Sequence, residues 1–282
     1  MGIGYWAAVL TGLACAAGAG GLPTSEAAAN SPPYLLGGDW VRVFSDEFDG
    51  SALDRSKWTT CYWWDDGGCT NLANNELQWY QRRNVSVADG NLRLTALPET
   101  VIGHEGKTFA YTSGMVTSGR LYAQRAGADR FAARQGYFEI RAKIPRGKGL
   151  WPAFWLLPST QDARPEIDIM EVIGNAPDVL EMHLHYTDEK GQKQSVGSNI
   201  RTVDLSADWH VYGLEWRPDA VIWYLDGKEA WRYQNAPGIP NEPMYLLLNL
   251  AVGGDWPGAP DDKTVFPAEF LVDYVRVWQR GD

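Results

Sequence analysis

Alternation of apolar and polar residues with a period of two runs through this chain and leaves few folds open to it. In residues 136–144, Phe138, Ile140, Ala142 and Ile144 fall on one side and Tyr137, Glu139, Arg141 and Lys143 on the other. That is the pattern of a half-buried antiparallel strand. Residues 221–233 hold two such runs joined by Asp226-Gly227, and residues 85–96 repeat the device at Asp89-Gly90. Asp-Gly supplies the positive φ angles of a two-residue hairpin turn. Residues 245–252 form a continuous apolar run, as an internal strand does, and residues 270–278 give one more strand. No segment sustains an amphipathic helix. Many short strands with Gly, Pro and Asp turns predict an all-β, two-sheet antiparallel sandwich. We expect one such domain over residues 37–282, since sandwiches reach about 200–250 residues without dividing.

Composition narrows the partners. Lys and Arg number 25 against 35 Asp and Glu, a net charge of −10, which argues against nucleic acid or an anionic membrane, both of which select a basic face. The 14 tryptophans are many for one core. Exposed indole is a flat apolar platform with one donor, suited to stacking on a sugar ring; the competing reading is a Trp-rich interior. No long apolar surface stretch points to a protein partner, so a monomer is expected.

Residues 1–36 read as an apolar run followed by a Pro/Ser/Ala spacer, which suggests an export signal and a secreted or periplasmic protein. A basic segment before the apolar run is missing, so a mis-assigned start or a tethering helix stays open. The run is broken by Gly and is short for a membrane span. Cys15 lies within it. Cys61 and Cys69 bracket the loop CYWWDDGGC and are a plausible disulfide in an exported protein.

The densest chemistry is PEIDIMEVI at residues 165–173. On a helix, Glu166 and Glu171 would diverge. On a regular strand, Glu166 and Asp168 share a face and Glu171 falls on the other. One β-bulge near Met170 resets the alternation and returns Glu171 to its partners; Ile167, Ile169 and Val172 then all face the core. Three convergent acids admit three readings. A retaining glycosidase uses two carboxyls about 5–5.5 Å apart, one as nucleophile and one as acid/base. A carboxylate cage can hold calcium. A solvated acidic face does nothing.

EIDIME resembles the E-x-D-x-x-E signature of family 16 glycoside hydrolases, in their laminarinase-like branch. So, in the same order, do SDEFDGSALDRSKW (45–58), NNELQWY (74–80), GLWPAFWLLP (149–158), DWHVYGLEWRPDAVIWYLDGKE (208–229), LLLNLAVGGDWPG (246–258) and FLVDYVRVW (270–278). The resemblance implies a curved, concanavalin-like β-jelly roll with a concave cleft. It implies retaining endo-hydrolysis of β-1,3-glucan, with Glu166 as nucleophile, Glu171 as acid/base and Asp168 tuning both. Mixed-linkage β-1,3-1,4-glucan or a galactan is the alternative substrate, and a non-catalytic glucan-binding protein the less favoured one. It implies substrate contacts at Asn75, Trp151, Trp155, Asn249 and Trp256, and no catalytic cofactor. A structural calcium on the convex face would be held by Glu47, the Gly90 carbonyl and Asp273.

His183 and His185 form an H-x-H pair, also a zinc-ligand spacing. With no third His nearby, His185 is expected beside the acids as a hydrogen-bonding neighbour and His183 as its passenger. Two departures from the resemblance stand out. Met115 replaces an Arg in YTSGM, which suggests a lost polar sugar contact. The CYWWDDGGC loop is long and aromatic, and is expected to overhang one end of the cleft.

Overall fold

The computed structural model describes residues 37–62, 69–120, 127–160 and 164–281, and only the backbone of Glu105. The signal-like segment 1–36 and the tip of the cysteine loop, 63–68, lie outside the described residues. Every described residue belongs to the unit Pro32–Asp282.

The strands, in chain order, are β1 (Trp40–Asp46), β2 (Gln78–Tyr80), β3 (Val85–Ala88), β4 (Asn91–Ala96), β5 (Val101–Ile102), β6 (Thr108–Phe109), β7 (Tyr111–Ser113), β8 (Met115–Thr117) and β9 (Gly136–Lys143). They continue with β10 (Leu150–Pro158), β11 (Glu166–Glu171), β12 (Val179–Thr187), β13 (Lys193–Arg201), β14 (His210–Trp216), β15 (Ala220–Leu225), β16 (Lys228–Gln234), β17 (Met244–Val252) and β18 (Ala268–Arg280). An eight-stranded sheet runs β16-β15-β14-β9-β18-β4-β3, with β1 also paired to β18. A six-stranded sheet runs β13-β12-β11-β10-β17-β8. The pairings within both are antiparallel, so the two sheets form the expected sandwich.

The sequence explains how they close. Phe138, Ile140 and Ala142 of β9 and Leu246, Leu248 and Leu250 of β17 are fully buried in one cluster between the sheets. Both hairpin turns take the positive φ angles that Asp-Gly allows: 54° and 72° at Asp89 and Gly90, 50° and 74° at Asp226 and Gly227. The outer side of β9 departs from simple alternation. Tyr137 and Glu139 are also buried, because Trp278 packs on Tyr137 and the Tyr274 hydroxyl donates to Glu139 at 2.8 Å. Much of the tryptophan excess serves packing: Trp58, Trp216, Trp223 and Trp278 are fully buried. Three others, Trp151, Trp155 and Trp256, line a trough on the outer face of the six-stranded sheet.

Candidate active site

The trough, of about 700 Å³, owes its chemistry to one irregular strand. In β11, Glu166 pairs with His185 and Asp168 with His183 of β12, but the next pair is Glu171 with Glu181. Two residues, Ile169 and Met170, thus oppose one, Met182, and the strand is bulged. The bulge keeps Ile167, Ile169 and Met170 in the core and turns Glu166, Asp168 and Glu171 into the trough together. The Asp168 carbonyl, beside the bulge, accepts from Trp223 Nε1 of the opposite sheet at 2.8 Å.

Each carboxyl has its own surroundings. Glu171 accepts from Trp151 Nε1 at 3.1 Å on one oxygen and meets His183 Nδ1 at 2.9 Å on the other. Asp168 is 3% exposed, and its Oδ2 lies 3.1 Å from His185 Nε2. Glu166 Oε1 is 3.9 Å from the same nitrogen. Burial, then the charge of Asp168, push the Glu166 carboxyl up to about 8. Burial, then Glu171, raise Asp168 as well. Glu166 and Asp168 therefore hold at least one proton between them at neutral pH. Burial lowers His185. Burial also works to lower His183, but its bond to Glu171 and the charges of Glu171 and Asp168 outweigh this and raise it.

The remaining predicted contacts divide. Trp151 is half-buried, and Trp256 stands over it edge-to-face at 5.3 Å on the rim. Trp155 donates to Asn249 Oδ1 at 2.7 Å, and Asn249 Nδ2 donates to the Tyr80 hydroxyl at 3.1 Å. Asn249 thus lines the trough with its amide engaged on both sides. Asn75 does not line it: its amide donates to both oxygens of Asp255, at 3.0 and 3.1 Å, tying two rim segments together. Met115 is fully buried against Tyr62, Tyr80 and Trp155, beneath the trough rather than within it, so it cannot stand where a sugar-contacting group would. Cys61 and Cys69 form a disulfide with Cα atoms 5.0 Å apart.

Sequence reading missed several lining groups. Tyr62, Asn71, Asn74, Glu76, Arg164, Ser195 and Tyr245 all face the trough, and most come from turns or distant strands that no local pattern marks. His183 was misread as a passenger. Period two alone would have put it on the same face as His185, and the register sets it against Asp168.

The calcium positions belong to the eight-stranded sheet and its edges: Asp273 is on β18, Glu47 follows β1 and Gly90 is in the β3–β4 turn. The two Glu47 oxygens take Arg276 at 2.9 and 2.6 Å and Arg42 at 3.6 Å, while Asp273 takes Arg141 at 2.7 Å. Gly90 occupies the turn beyond the Leu92–Val272 pair. The oxygen donors suit calcium, but both carboxylates already have guanidinium partners, which an ion would displace.

A two-sheet jelly roll with a bulged strand turning three acids into an open, tryptophan-lined trough is the build of a carbohydrate-active protein. Residues 74–274 match the family model of glycosyl hydrolases family 16, and the chain belongs to that family. It is 37% identical over 266 residues to a beta-glucanase of Rhodothermus marinus, covering 85% of each chain. It is 37% identical over 252 residues to an endo-1,3-1,4-beta-glycanase of Rhizobium meliloti, covering 84% of this chain and 51% of that one. The chain thus spans about half the length of that relative. Among solved structures, the laminarinase catalytic domain of Thermotoga maritima superimposes with a TM-score of 0.75 at 33% identity, covering 86% of this chain and all of that one.

Proposed function

We propose that this protein is a retaining endo-hydrolase of β-1,3-glucan. The observation that carries the reading is the bulge that brings Glu166, Asp168 and Glu171 to one trough wall. Glu166, in its ionised form, attacks the anomeric carbon while the protonated Glu171 passes its proton to the leaving oxygen; Glu171 then takes a proton from water, whose oxygen bonds to the anomeric carbon as the bond to Glu166 breaks. Asp168, between them, raises the proton affinity of Glu166 through like-charge repulsion and so keeps a proton in the cluster. Trp151 and Trp256 offer ring faces and edges to the sugar. The test is reducing-sugar release from laminarin, with the anomer of the fresh product read by NMR. Glu166→Gln and Glu171→Gln should each lower turnover by at least about 100-fold. A folded wild-type protein that releases nothing from laminarin or any mixed-linkage glucan would falsify the reading.

The Rhizobium relative's name, an endo-1,3-1,4-beta-glycanase, supports mixed-linkage glucan as a second substrate. Linkage analysis of products from a panel of glucans and galactans separates the two. Export is proposed from the signal-like segment and is favoured by the Cys61–Cys69 disulfide; fractionation of producing cells tests it. Calcium at Glu47, the Gly90 carbonyl and Asp273 is proposed as a stabilising ion only. A rise in Tm with calcium over EGTA, abolished in Asp273→Ala, supports it, and an unchanged Tm removes it.

A further inference from the structure

His183 contacts Glu171, but the H-x-H pair also has a geometry of its own. His183 and His185 share one face of β12, their rings stacked with centroids 5.7 Å apart. Across the ladder stands Asp168, paired with His183. One ring nitrogen from each His and one oxygen of Asp168 all lie within 4.8 Å of one another. Asp168 Oδ2 is buried and has no hydrogen-bond partner, although His185 Nε2 is 3.1 Å away. A buried carboxylate oxygen without a donor is costly, and a cation seated beside it would partner it. Tetrahedral zinc, with bonds of about 2.0–2.1 Å, sets its ligands about 3.3 Å apart. The His185–Asp168 pair already has that spacing, and the His183 nitrogen, within 4.8 Å of both, must close in to match it.

We propose that Asp168, His183 and His185 bind a borderline divalent metal ion, zinc or copper(II), in the trough, and that the ion competes with the polysaccharide. Imidazole and carboxylate together suit these ions and not calcium or magnesium. The fourth position faces the trough, where water or the neighbouring Glu171 completes the shell. An ion so placed occupies the space between the acids and takes His183 Nδ1 away from Glu171. Affinity should be modest. His185 Nδ1 is buried with no acceptor behind it, so the outer hydrogen bond that usually tightens a histidine ligand, worth about 10–100-fold, is missing. Binding itself does not depend on the hydrolase reading; only the inhibition does.

The test is calorimetric titration of the full chain, first stripped with EDTA, with zinc sulfate. One ion per chain is expected for the wild type. His183→Gln should weaken binding at least tenfold, and the His183→Gln/His185→Gln double variant should abolish it. Both side chains are partly exposed, and melting curves in EDTA verify that the variants fold. Zinc should also raise KM for laminarin with kcat unchanged, reversibly on chelation. No binding up to 1 mM zinc, or equal binding by the double variant, overturns the site. A fall in kcat at constant KM overturns its seat in the trough. An inactive wild type that still binds zinc through these histidines leaves the site standing and removes the proposed hydrolysis instead.

Discussion

His183 Nδ1 lies 2.9 Å from Glu171 Oε2, while Trp151 Nε1 holds the other oxygen of the same carboxyl. The two contacts fix the orientation of the carboxyl. The hydrogen bond to Glu171 and the charges of Glu171 and Asp168 raise the ionisation range of His183 against its burial.

Under the proposed mechanism, the raised ionisation of His183 should appear as a limb of the pH–rate profile. In His183→Gln that group is gone, so the limb should shift. Turnover at neutral pH should fall by about tenfold, part of the 10²–10⁴ that general acid catalysis supplies. A pH series of kcat/KM reads this. A drop in rate with an unmoved limb would assign His183 to packing only.

Glu76 makes stability depend on pH. It is 6% exposed, and burial pushes its carboxyl up to about 7 against the hydrogen bonds from Gln78 and Asn74. The folded state then holds the Glu76 proton more tightly than the unfolded chain. Its stabilising contribution is complete below about pH 4.5 and is lost as pH rises through about 7. Glu166, pushed up to about 8, acts in the same direction. The wild-type Tm should therefore fall between pH 5 and 8.5. Glu76→Gln should flatten that fall and gain about 1 kcal/mol at pH 8.5, or ~2–4 °C, with no gain at pH 4. Melting curves across this range decide; parallel curves would remove Glu76 as the cause.

The sandwich was legible because burial is written in period two and the turns in Asp-Gly. The bulge was legible for a related reason: Ile167, Ile169 and Val172 cannot all be buried beside three convergent acids on a regular strand. What stayed hidden is decided across strands. Whether His183 or His185 touches Glu171 depends on ladder register, which a single strand does not encode. Asn75 sits in a left-handed conformation at φ 54° and turns to Asp255, 180 residues away. Met115 reads as a surface departure in its motif, yet it is buried under Trp155 because β8 pairs with β17.

The Cys61–Cys69 bridge holds one wall of the trough. Cys69 is buried in the cluster of Tyr62, Tyr80 and Trp155, and its carbonyl accepts from the Tyr80 backbone at 2.6 Å. Closing so short a loop is worth about 2–3 kcal/mol. Cys61→Ser/Cys69→Ser should lose ~4–12 °C of Tm and raise KM, since Tyr62 lines the trough. The reductant should reproduce the loss in the wild type and change nothing in the variant.

Trp223 ties the bulge to the second sheet. Its indole is fully buried, stacked on Trp231 at 4.4 Å, and its N–H serves the Asp168 carbonyl. Trp223→Phe keeps an aromatic ring and removes the donor, taking one hydrogen bond from a buried carbonyl at a cost of about 1 kcal/mol. With that tether gone, the bulge can relax, and Asp168 and Glu171 lose their common aim. A fall in kcat of at least about tenfold is expected at 25 °C, where the variant remains folded. Trp231→Phe is the control: it disturbs the same stack without touching the carbonyl, so it should lower Tm and leave kcat near wild type. Equal kcat losses in the two variants would show that packing of the pair, rather than the hydrogen bond to Asp168, holds the acids in place.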